Sequence, residues 1–348
     1  MIKKRKIGDL NVAYRPYRID EVFGHDRIKS MVTGFLKNNT LPHASLFTGL
    51  PGCGKTTFAR IIALGLNCET GITPNPCCEC ATCKSIIALN SLSVLELDGA
   101  RTGNVDTVKR VLNDLPSSPF GSDRFRVLIL DEAHRLSGAA EDALLKFLED
   151  TPAHVYVILC TNKPEKLQDV TRQRCKPIQF GRLEQHHLYA LLEQVAQFDG
   201  MNYNKEILKK ITEECEGTPR IALSFLQQIN AEGTWSDEAV GFILSTGVEI
   251  DQQEVIEMCR MLIGKKQWQP IQDIFLKLVK KIPPETIRIA SNGFLSGCFK
   301  RAKDLEQAKI YAKCVEIISQ LYYGPKPEHV LLVRLFRCYH LLNRGVDI

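Results

Sequence analysis

No apolar run in this 348-residue sequence approaches the roughly 20 residues that a membrane-spanning helix needs. The basic start, MIKKRKIGDL, lacks the apolar stretch and the small-residue cleavage site of a secretory signal. The 13 cysteines are odd in number, so they cannot all pair in disulfides. These absences argue against a membrane protein and a secreted disulfide scaffold, and we expect an intracellular, cytoplasmic protein in a reducing compartment.

The sequence also has little excess of charge of either sign, because its 45 Lys and Arg residues nearly balance its 40 Asp and Glu residues. No segment is basic enough to establish nucleic-acid binding by itself. The hydrophobic content of 44% and the charged content of 24% are ordinary for a globular protein. The length exceeds what one hydrophobic core supports and predicts two or three domains.

Strand-like apolar runs recur in the first half of the chain, at 44–49, 94–98, 126–132, 155–161 and 177–180. They are rich in Val, Ile and Leu with little alternation, which is typical of strands buried on both faces of a parallel sheet. Segments with helical spacing separate them, so the pattern predicts an α/β domain with helices on both faces. After Phe180 the pattern is helical. We expect domains at 1–180, 181–243 and 244–348.

The segment GLPGCGKT (49–56) fits the phosphate-binding pattern G-x-x-x-x-G-K-[ST] between a predicted strand and a predicted helix. Its glycines let several backbone N–H groups point at one phosphate, and the helix N-terminus adds partial positive charge. Lys55 is expected to reach the β- and γ-phosphates of ATP, and the Thr56 hydroxyl to bind Mg²⁺. The residues expected to hold the nucleotide are Gly52, Cys53, Gly54, Lys55, Thr56 and Thr57.

A second motif, VLILDEAH (127–134), predicts a buried strand that ends beside this loop. Asp131 is expected to bind Mg²⁺, and Glu132 to polarise the attacking water as a general base. Thr161 and Asn162 end the next strand, where an amide or hydroxyl can hold that water. An ordinary strand-end turn is the alternative interpretation of this last pair.

Five cysteines cluster after the phosphate-loop helix, and Cys68, Cys77, Cys80 and Cys83 have the spacing of a tetrahedral zinc site. We expect a closed structural zinc module over residues 67–84. Cys78 is adjacent to Cys77 and could compete as a ligand. A redox pair, incidental cysteines and an iron–sulfur cluster are the alternatives.

These motifs together resemble those of bacterial clamp-loader subunits of the DnaX (tau/gamma) type, which are AAA+ ATPases. The resemblance covers roughly residues 12–230, and the stretch from the phosphate loop to the cysteines is its most specific part. The segments that carry it, in chain order, are YRP (14–16), the Gly24–His25 pair, HASLFTGLPGCGKTTFARIIALGLNCETG, the four cysteines, LDEAH, ALLKFLED and RQRC (172–175).

The resemblance implies a RecA-like AAA+ domain at 1–180, a helical lid at 181–243 and an all-α collar or oligomerisation domain at 244–348. It places Tyr14, Arg15 and Pro16 near the adenine. The catalytic residues that it implies are Glu132, Lys55, Arg174 acting in trans as an arginine finger, Asn162 as sensor 1 and Arg220 as sensor 2.

Two features depart from the family pattern: Gln173 stands where the family has serine, and the chain ends at 348. The second implies a short, gamma-like form from a bacterial or phage genome.

The implied function is that of an ATPase motor subunit in a hetero-oligomeric, pentameric arc with ATP, Mg²⁺ and Zn²⁺ as cofactors. The implied partners are other clamp-loader subunits, the sliding clamp, primer–template DNA and a replicative DNA polymerase. A non-hydrolysing structural stator and another AAA+ DNA remodeller are the alternative functions. We expect Asn104 to cap a helix with Arg101 and Lys109 facing DNA phosphates.

One candidate surface for contact with the sliding clamp is an apolar cluster that precedes a polar turn. The alternative is that this cluster packs onto the sheet. Its residues are Leu115, Pro119 and Phe120.

Overall fold

The computed structural model describes residues 8–102, 104–233, 235, 253–264, 267–279, 284–300, 302, 304–320 and 327–344. The chain divides into two compact units, Met1–Leu223 and Ser224–Ile348. The expected boundary between 243 and 244 lies outside the described residues, so the three-domain division stays a prediction.

The first unit is built on a five-stranded parallel sheet with the strand order β2-β3-β4-β1-β5. Its strands agree with the predicted ones to within one residue, so the parallel α/β prediction is confirmed. The strands are β1 Ala44–Gly49, β2 Val94–Asp98, β3 Arg126–Asp131, β4 Val155–Thr161 and β5 Lys176–Phe180.

Helices connect the strands and continue beyond them. The first unit contains α1 Leu10–Ala13, α2 Asp26–Asn38, α3 Lys55–Asn67, α4 Ala81–Ile87, α5 Gly99–Thr102, α6 Val105–Asp114, α7 Gly138–Glu149, α8 Asp169–Arg174, α9 Gln185–Phe198 and α10 Lys205–Glu214, and α11 Pro219–Glu232 begins in it. Short 3₁₀ helices lie at Ile19–Glu21, Ala133–Arg135 and Pro164–Lys166.

The two faces of the sheet bury two separate sets of helices. Phe47 and Ile158 point to the face covered by α2 and α3, where they join Phe58 in one buried cluster. Leu46 and Leu159 point to the other face, in a cluster with the side chains of α6 and α7. Successive strand residues alternate between faces, so an apolar run without alternation is what a sheet covered on both sides requires.

The parallel arrangement places all five carboxyl ends at one edge of the sheet. β1 pairs with β4 so that Thr48 lies opposite Thr161, and β2 pairs with β3 so that Asp98 lies opposite Asp131. The phosphate loop follows β1 at this same edge. Motifs that are far apart in the sequence are therefore brought to one place, where ligands of open α/β sheets bind.

The described helices of the second unit share an apolar core of their own. They are α12 Gln253–Ile263, α13 Trp268–Leu278, α14 Pro284–Lys300, α15 Leu305–Ser319 and α16 Pro327–Arg344. Arg288 is buried in this unit and donates from Nη1 to the carbonyls of Ile318 and Ser319, at 3.1 Å each, where α15 ends. Across the described ranges, no helix is both long and apolar enough to cross a bilayer.

Asn67 joins the end of α3 to the start of β3. Its side chain is fully buried, and Oδ1 accepts the backbone N–H groups of Arg124 and Phe125 at 2.9 Å each. Both hydrogen bonds are partly buried, and both donors would lose this partner if the oxygen were absent. One amide therefore fixes the segment that enters β3.

We expect Asn67→Ala to lower the free energy of unfolding of this unit by about 2 kcal/mol, because two partly buried donors lose their acceptor. Urea titration followed by circular dichroism measures the change. The control is Asn38→Ala, since Asn38 is the exposed last residue of α2. An equal shift in the two variants would contradict this role of Asn67.

Candidate nucleotide site and zinc module

The phosphate loop depends on glycines with positive φ. Gly49 has φ 146°, and a Cβ there would lie 2.4 Å from the Phe180 carbonyl oxygen. Gly52 has φ 75°, and a Cβ there would lie 2.8 Å from the Cβ of Arg220. L-residues with side chains are strained at such φ values and would collide with these neighbours. The loop therefore sits in close contact with β5 and with the start of α11.

Lys55 is the first residue of α3 and is only 6% exposed. Its ammonium donates to the carbonyls of Gly49 (2.9 Å) and Leu50 (2.8 Å), within the loop itself. The positive charge thus lies beside a helix N-terminus and the curled loop backbone. This combination attracts phosphate groups.

Thr56 and Asp131 are in direct contact although 75 residues separate them in the chain. The Thr56 hydroxyl donates to Oδ2 of Asp131 at 2.8 Å, and the Glu132 N–H donates to Oδ1 at 3.0 Å. A hydroxyl and a carboxylate are hard oxygen donors of the kind that Mg²⁺ accepts beside phosphates. The residues present therefore fit a magnesium ion.

A cavity of about 410 Å³ opens beside the phosphate loop and is within the range of small-ligand sites. The N-terminal segment, the loop, the end of β3 and the first residues of α11 all line it. The expected site residues among its lining are Tyr14, Arg15, Pro16, Gly52, Cys53, Gly54, Lys55, Thr56, Thr57, Asp131, Glu132 and Arg220.

Four cationic side chains line the cavity together with five acidic ones, and three of the cations, Arg15, Arg60 and Arg220, influence one another. Burial lowers the pKa of Arg15, and the neighbouring charges of Arg60 and Arg220 lower it further. Guanidinium groups stay protonated despite such shifts. The partly desolvated positive charges of these three arginines favour a polyanionic ligand such as a nucleoside triphosphate.

Tyr14 contributes to this cavity as an anchored side chain. Its ring is buried, and its hydroxyl donates to Oδ1 of Asp199 at 2.6 Å, just after α9. Burial raises the pKa of Tyr14, and the hydrogen bond to the Asp199 carboxylate raises it further. The phenol therefore stays protonated and ties the N-terminal segment to α9.

The structure adds three residues to which sequence reasoning gave no role. Arg60 binds both carboxylate oxygens of Glu96, at 2.8 and 2.7 Å, and both side chains line the cavity. His25 has φ 55° and places Nε2 2.9 Å from the Cys53 carbonyl of the loop. A charged residue inside the apolar run VLELD was the available signal for Glu96.

The end of β4 lies close to Glu132. Thr161 is fully buried, and its hydroxyl lies 3.0 Å from Nδ1 of His134. Asn162 follows it, and its Oδ1 is buried without a hydrogen-bond partner among the described residues. Asn162 is not among the residues that line the cavity. Its expected role as sensor 1 stays a prediction.

Arg174 is set apart from this chain's own cavity. It ends α8 with 48% of its side chain exposed, and Nη2 lies 3.1 Å from Oε1 of Glu149. A shallow groove beside it also contains Gln173 and Cys175. Arg174 does not line the nucleotide cavity, and its expected role as an arginine finger in trans stays a prediction.

The residues expected to contact DNA lie on α5, on α6 or just before α6. Asn104 caps α6 by accepting the Thr107 N–H at 2.9 Å, as expected, while Arg101 and Lys109 are exposed. The expectation of an exposed apolar cluster is wrong for Leu115, which is fully buried against the sheet, but Phe120 is 44% exposed.

The cysteine cluster is compact. The Sγ atoms of Cys68, Cys77, Cys80 and Cys83 all lie within 4.8 Å of one another, with 3.6 Å between those of Cys68 and Cys77. Zn–S bonds of about 2.3 Å place tetrahedral sulfurs about 3.8 Å apart. The set therefore fits one central Zn²⁺ and is too tight to enclose an iron–sulfur cluster.

Cys78 is turned out of this cluster. It adopts a left-handed conformation with φ 63°, and its Sγ lies 3.5 Å from the Pro76 carbonyl. The backbone N–H groups of Cys77 and Cys80 point instead at cluster sulfurs, each at 3.4 Å. Such donors stabilise thiolate ligands.

Residues 24–184 match the family described as DNA polymerase III, delta subunit. The DNA polymerase III subunit gamma of Buchnera aphidicola subsp. Baizongia pistaciae is 33% identical over 220 residues, which are 63% of this chain and 59% of that protein. The subunit gamma/tau of Mycobacterium bovis is 37% identical over 220 residues, 63% of this chain and 38% of that protein. The resemblance to DnaX-type clamp-loader subunits is thereby confirmed.

The tau subunit of Escherichia coli (strain K12) is 32% identical over 252 residues, 72% of this chain and 39% of that protein. The chain thus spans less than two thirds of the length of these relatives. Among solved structures, the Thermotoga maritima RuvB Holliday junction branch migration motor is similar, with a TM-score of 0.50 and 19% identity over 72% of this chain and 79% of that chain. At that identity the likeness shows the fold alone.

We expect Cys80→Ser to reduce bound zinc to well below one ion per chain, and Cys78→Ser to leave it near one. The reason is that the Cys80 sulfur lies in the cluster and the Cys78 sulfur does not. Atomic emission spectroscopy of protein purified without added metal measures the content. Equal loss of zinc in both variants would contradict the ligand set.

Proposed function

We propose that this chain is an ATPase motor subunit of a DNA polymerase sliding-clamp loader, as the notable likeness to gamma and tau subunits supports. One observation carries the proposal. The Thr56 hydroxyl and the Asp131 carboxylate meet at 2.8 Å between the phosphate-loop lysine and Glu132. These groups suit phosphoryl transfer to water.

Each group in the cavity has a role in the proposed reaction. The loop N–H groups and Lys55 bind the β- and γ-phosphates of ATP. Thr56 and Asp131 would hold Mg²⁺, which supplies neutralisation of the developing phosphate charge. Glu132 accepts a proton from the attacking water. Asn162, which follows β4 and lies outside the cavity lining, is proposed to orient that water.

Other residues of the cavity connect the nucleotide to the lid. Arg220 is the second residue of α11 and lies against Gly52 of the phosphate loop, so a γ-phosphate can attract it together with its helix. Tyr14, Arg15 and Pro16 form the side expected to receive the adenine. The nucleotide would then determine how the lid lies on the sheet.

Arg174 is proposed to act on a neighbouring subunit. Its side chain is about half exposed and stands outside the cavity of its own chain. An arginine supplied in trans stabilises the charge of the transition state. Action in trans requires a neighbouring subunit. We propose a hetero-oligomeric arc of five clamp-loader subunits.

In the proposed cycle, ATP binding opens the clamp and creates the site for primer–template DNA. Arg101 and Lys109 contact the phosphate backbone without sequence preference, so binding weakens as salt concentration rises. Hydrolysis then releases the closed clamp on DNA. The complex would act with a replicative polymerase in the cytoplasm of a bacterium, or of the host cell if a phage encodes it.

A non-hydrolysing stator is the second candidate, because the matched family is described as the delta subunit. The geometry disfavours it, since a stator has no use for the Thr56–Asp131 contact. A branch-migration motor or similar DNA remodeller is weaker still, because the likeness to RuvB is one of fold only.

We expect Glu132→Gln to lower kcat for ATP hydrolysis at least 100-fold while ATP affinity stays within a factor of a few, because the amide cannot accept the proton of water. Phosphate release and fluorescent-nucleotide titration measure the two quantities. The control is Glu165→Gln, an identical change at an exposed position. Hydrolysis at the normal rate in Glu132→Gln would refute the catalytic assignment.

We expect Arg174→Ala to lower hydrolysis by the reconstituted clamp loader by about 10³-fold, because the neighbouring site loses its transition-state cation. ATP affinity of the isolated subunit should not change. Arg172→Ala is the matched control, since Arg172 lies on the same helix and pairs with Asp169. The two variants behaving alike would contradict action in trans.

A further inference from the structure

Glu132 stands in an unusual backbone conformation at the end of β3. Its φ of 49° and ψ of 40° lie in the left-handed region, which bulky residues seldom adopt. Gly99 makes room for this turn, because a Cβ on Gly99 would lie 2.6 Å from the Glu132 carbonyl oxygen. The backbone of Glu132 is thus held firmly, while its side chain is 35% exposed at the cavity.

The Glu132 carboxylate has a buried neighbour. Nε2 of His134 lies 3.5 Å from Oε2 of Glu132, and the His134 side chain is only 5% exposed. Arg135 approaches the same oxygen at 3.9 Å, but its side chain is 59% exposed and water screens it. His134 is therefore the contact that can hold the carboxylate in one orientation.

The far side of the imidazole is fixed by β4. Nδ1 of His134 lies 3.0 Å from Oγ1 of Thr161, and this oxygen also accepts the Lys163 N–H at 3.0 Å. An ionised carboxylate only accepts hydrogen bonds, so the proton of a neutral imidazole belongs on Nε2. Nδ1 is then the acceptor, and the Thr161 hydroxyl donates to it. Burial lowers the pKa of His134 and favours this neutral form.

We propose that His134 is a positioning residue for hydrolysis, which holds Oε2 of Glu132 through Nε2–H and is itself held by Thr161. The inference rests on the proposed ATPase function. Oε1 is left to accept the proton of water as the water oxygen bonds to the γ-phosphorus and the bond to the β-phosphate oxygen breaks. Catalytic hydrogen bonds are often long before substrate binds, and we expect this 3.5 Å contact to be shorter in the ATP complex.

The test compares single-turnover ATP hydrolysis and nucleotide affinity of the full chain with and without the His134 side chain. His134→Ala should lower the hydrolysis rate about 10- to 100-fold with unchanged ATP affinity, as the loss of orientation predicts. His134→Gln should recover much of the rate, because its amide can reach the position of Nε2. Loss of ATP affinity in His134→Ala, or no recovery in His134→Gln, would overturn the inference.

A second background separates this role from a merely structural one. In the Glu132→Gln background, adding His134→Ala should not lower the hydrolysis rate further, because His134 acts through the Glu132 carboxylate. A further loss equal to that in the wild type would overturn the inference. If Glu132→Gln itself hydrolyses normally, the proposed function fails; if only His134→Ala does, the inference alone fails.

Thr161 gives an independent check. Thr161→Val removes the hydroxyl and should lower the rate, as His134→Ala does, whereas Thr161→Ser keeps the hydroxyl and should restore much of the rate that Thr161→Val loses. A wild-type rate in Thr161→Val would overturn its role in fixing the imidazole.

Discussion

The hydrogen bond from Thr56 to Asp131 is the contact on which the proposed chemistry depends. It joins the first turn of α3, which follows β1, to the end of β3, although β1 and β3 are not neighbours in the sheet. The bond forms because β4 alone separates β1 from β3, and all three strands end at the same edge. A one-residue slip in either pairing would carry the carboxylate to the other face of the sheet.

The surroundings of this contact are built to keep it in place. Close approach at Gly49 and Gly52 allows β5 and the start of α11 to lie directly on the phosphate loop. His25 contacts the loop carbonyl of Cys53 from the N-terminus of α2. Both α11 and the N-terminus of α2 are thereby linked to the loop. Under the proposed function, a bound nucleotide would act on α11 through the same contacts.

The cysteine cluster fits a structural metal site better than a catalytic one. Four sulfurs would close around one Zn²⁺, with no coordination position left for a substrate. The module follows α3 directly, since Cys68 is the residue after Asn67. Bound metal and the buried Asn67 amide would therefore act on the same end of α3. We infer that the module fixes the far end of the helix whose near end binds phosphate.

Much of this protein could be predicted from its sequence, because local patterns determine it. Uninterrupted Val, Ile and Leu runs specify buried parallel strands, and the strand limits followed to within one residue. The phosphate loop and the C-x₂-C pair are short-range geometric requirements, so spacing alone reveals them.

Only the tertiary structure could show that Cys78 turns out of the cluster and that Leu115 is buried. It likewise decided that Arg60 pairs with Glu96 and that His134 lies between Glu132 and Thr161. The reason is physical: those contacts join residues from different strands and helices, and side-chain direction across a packed sheet is set by neighbours that no local pattern contains.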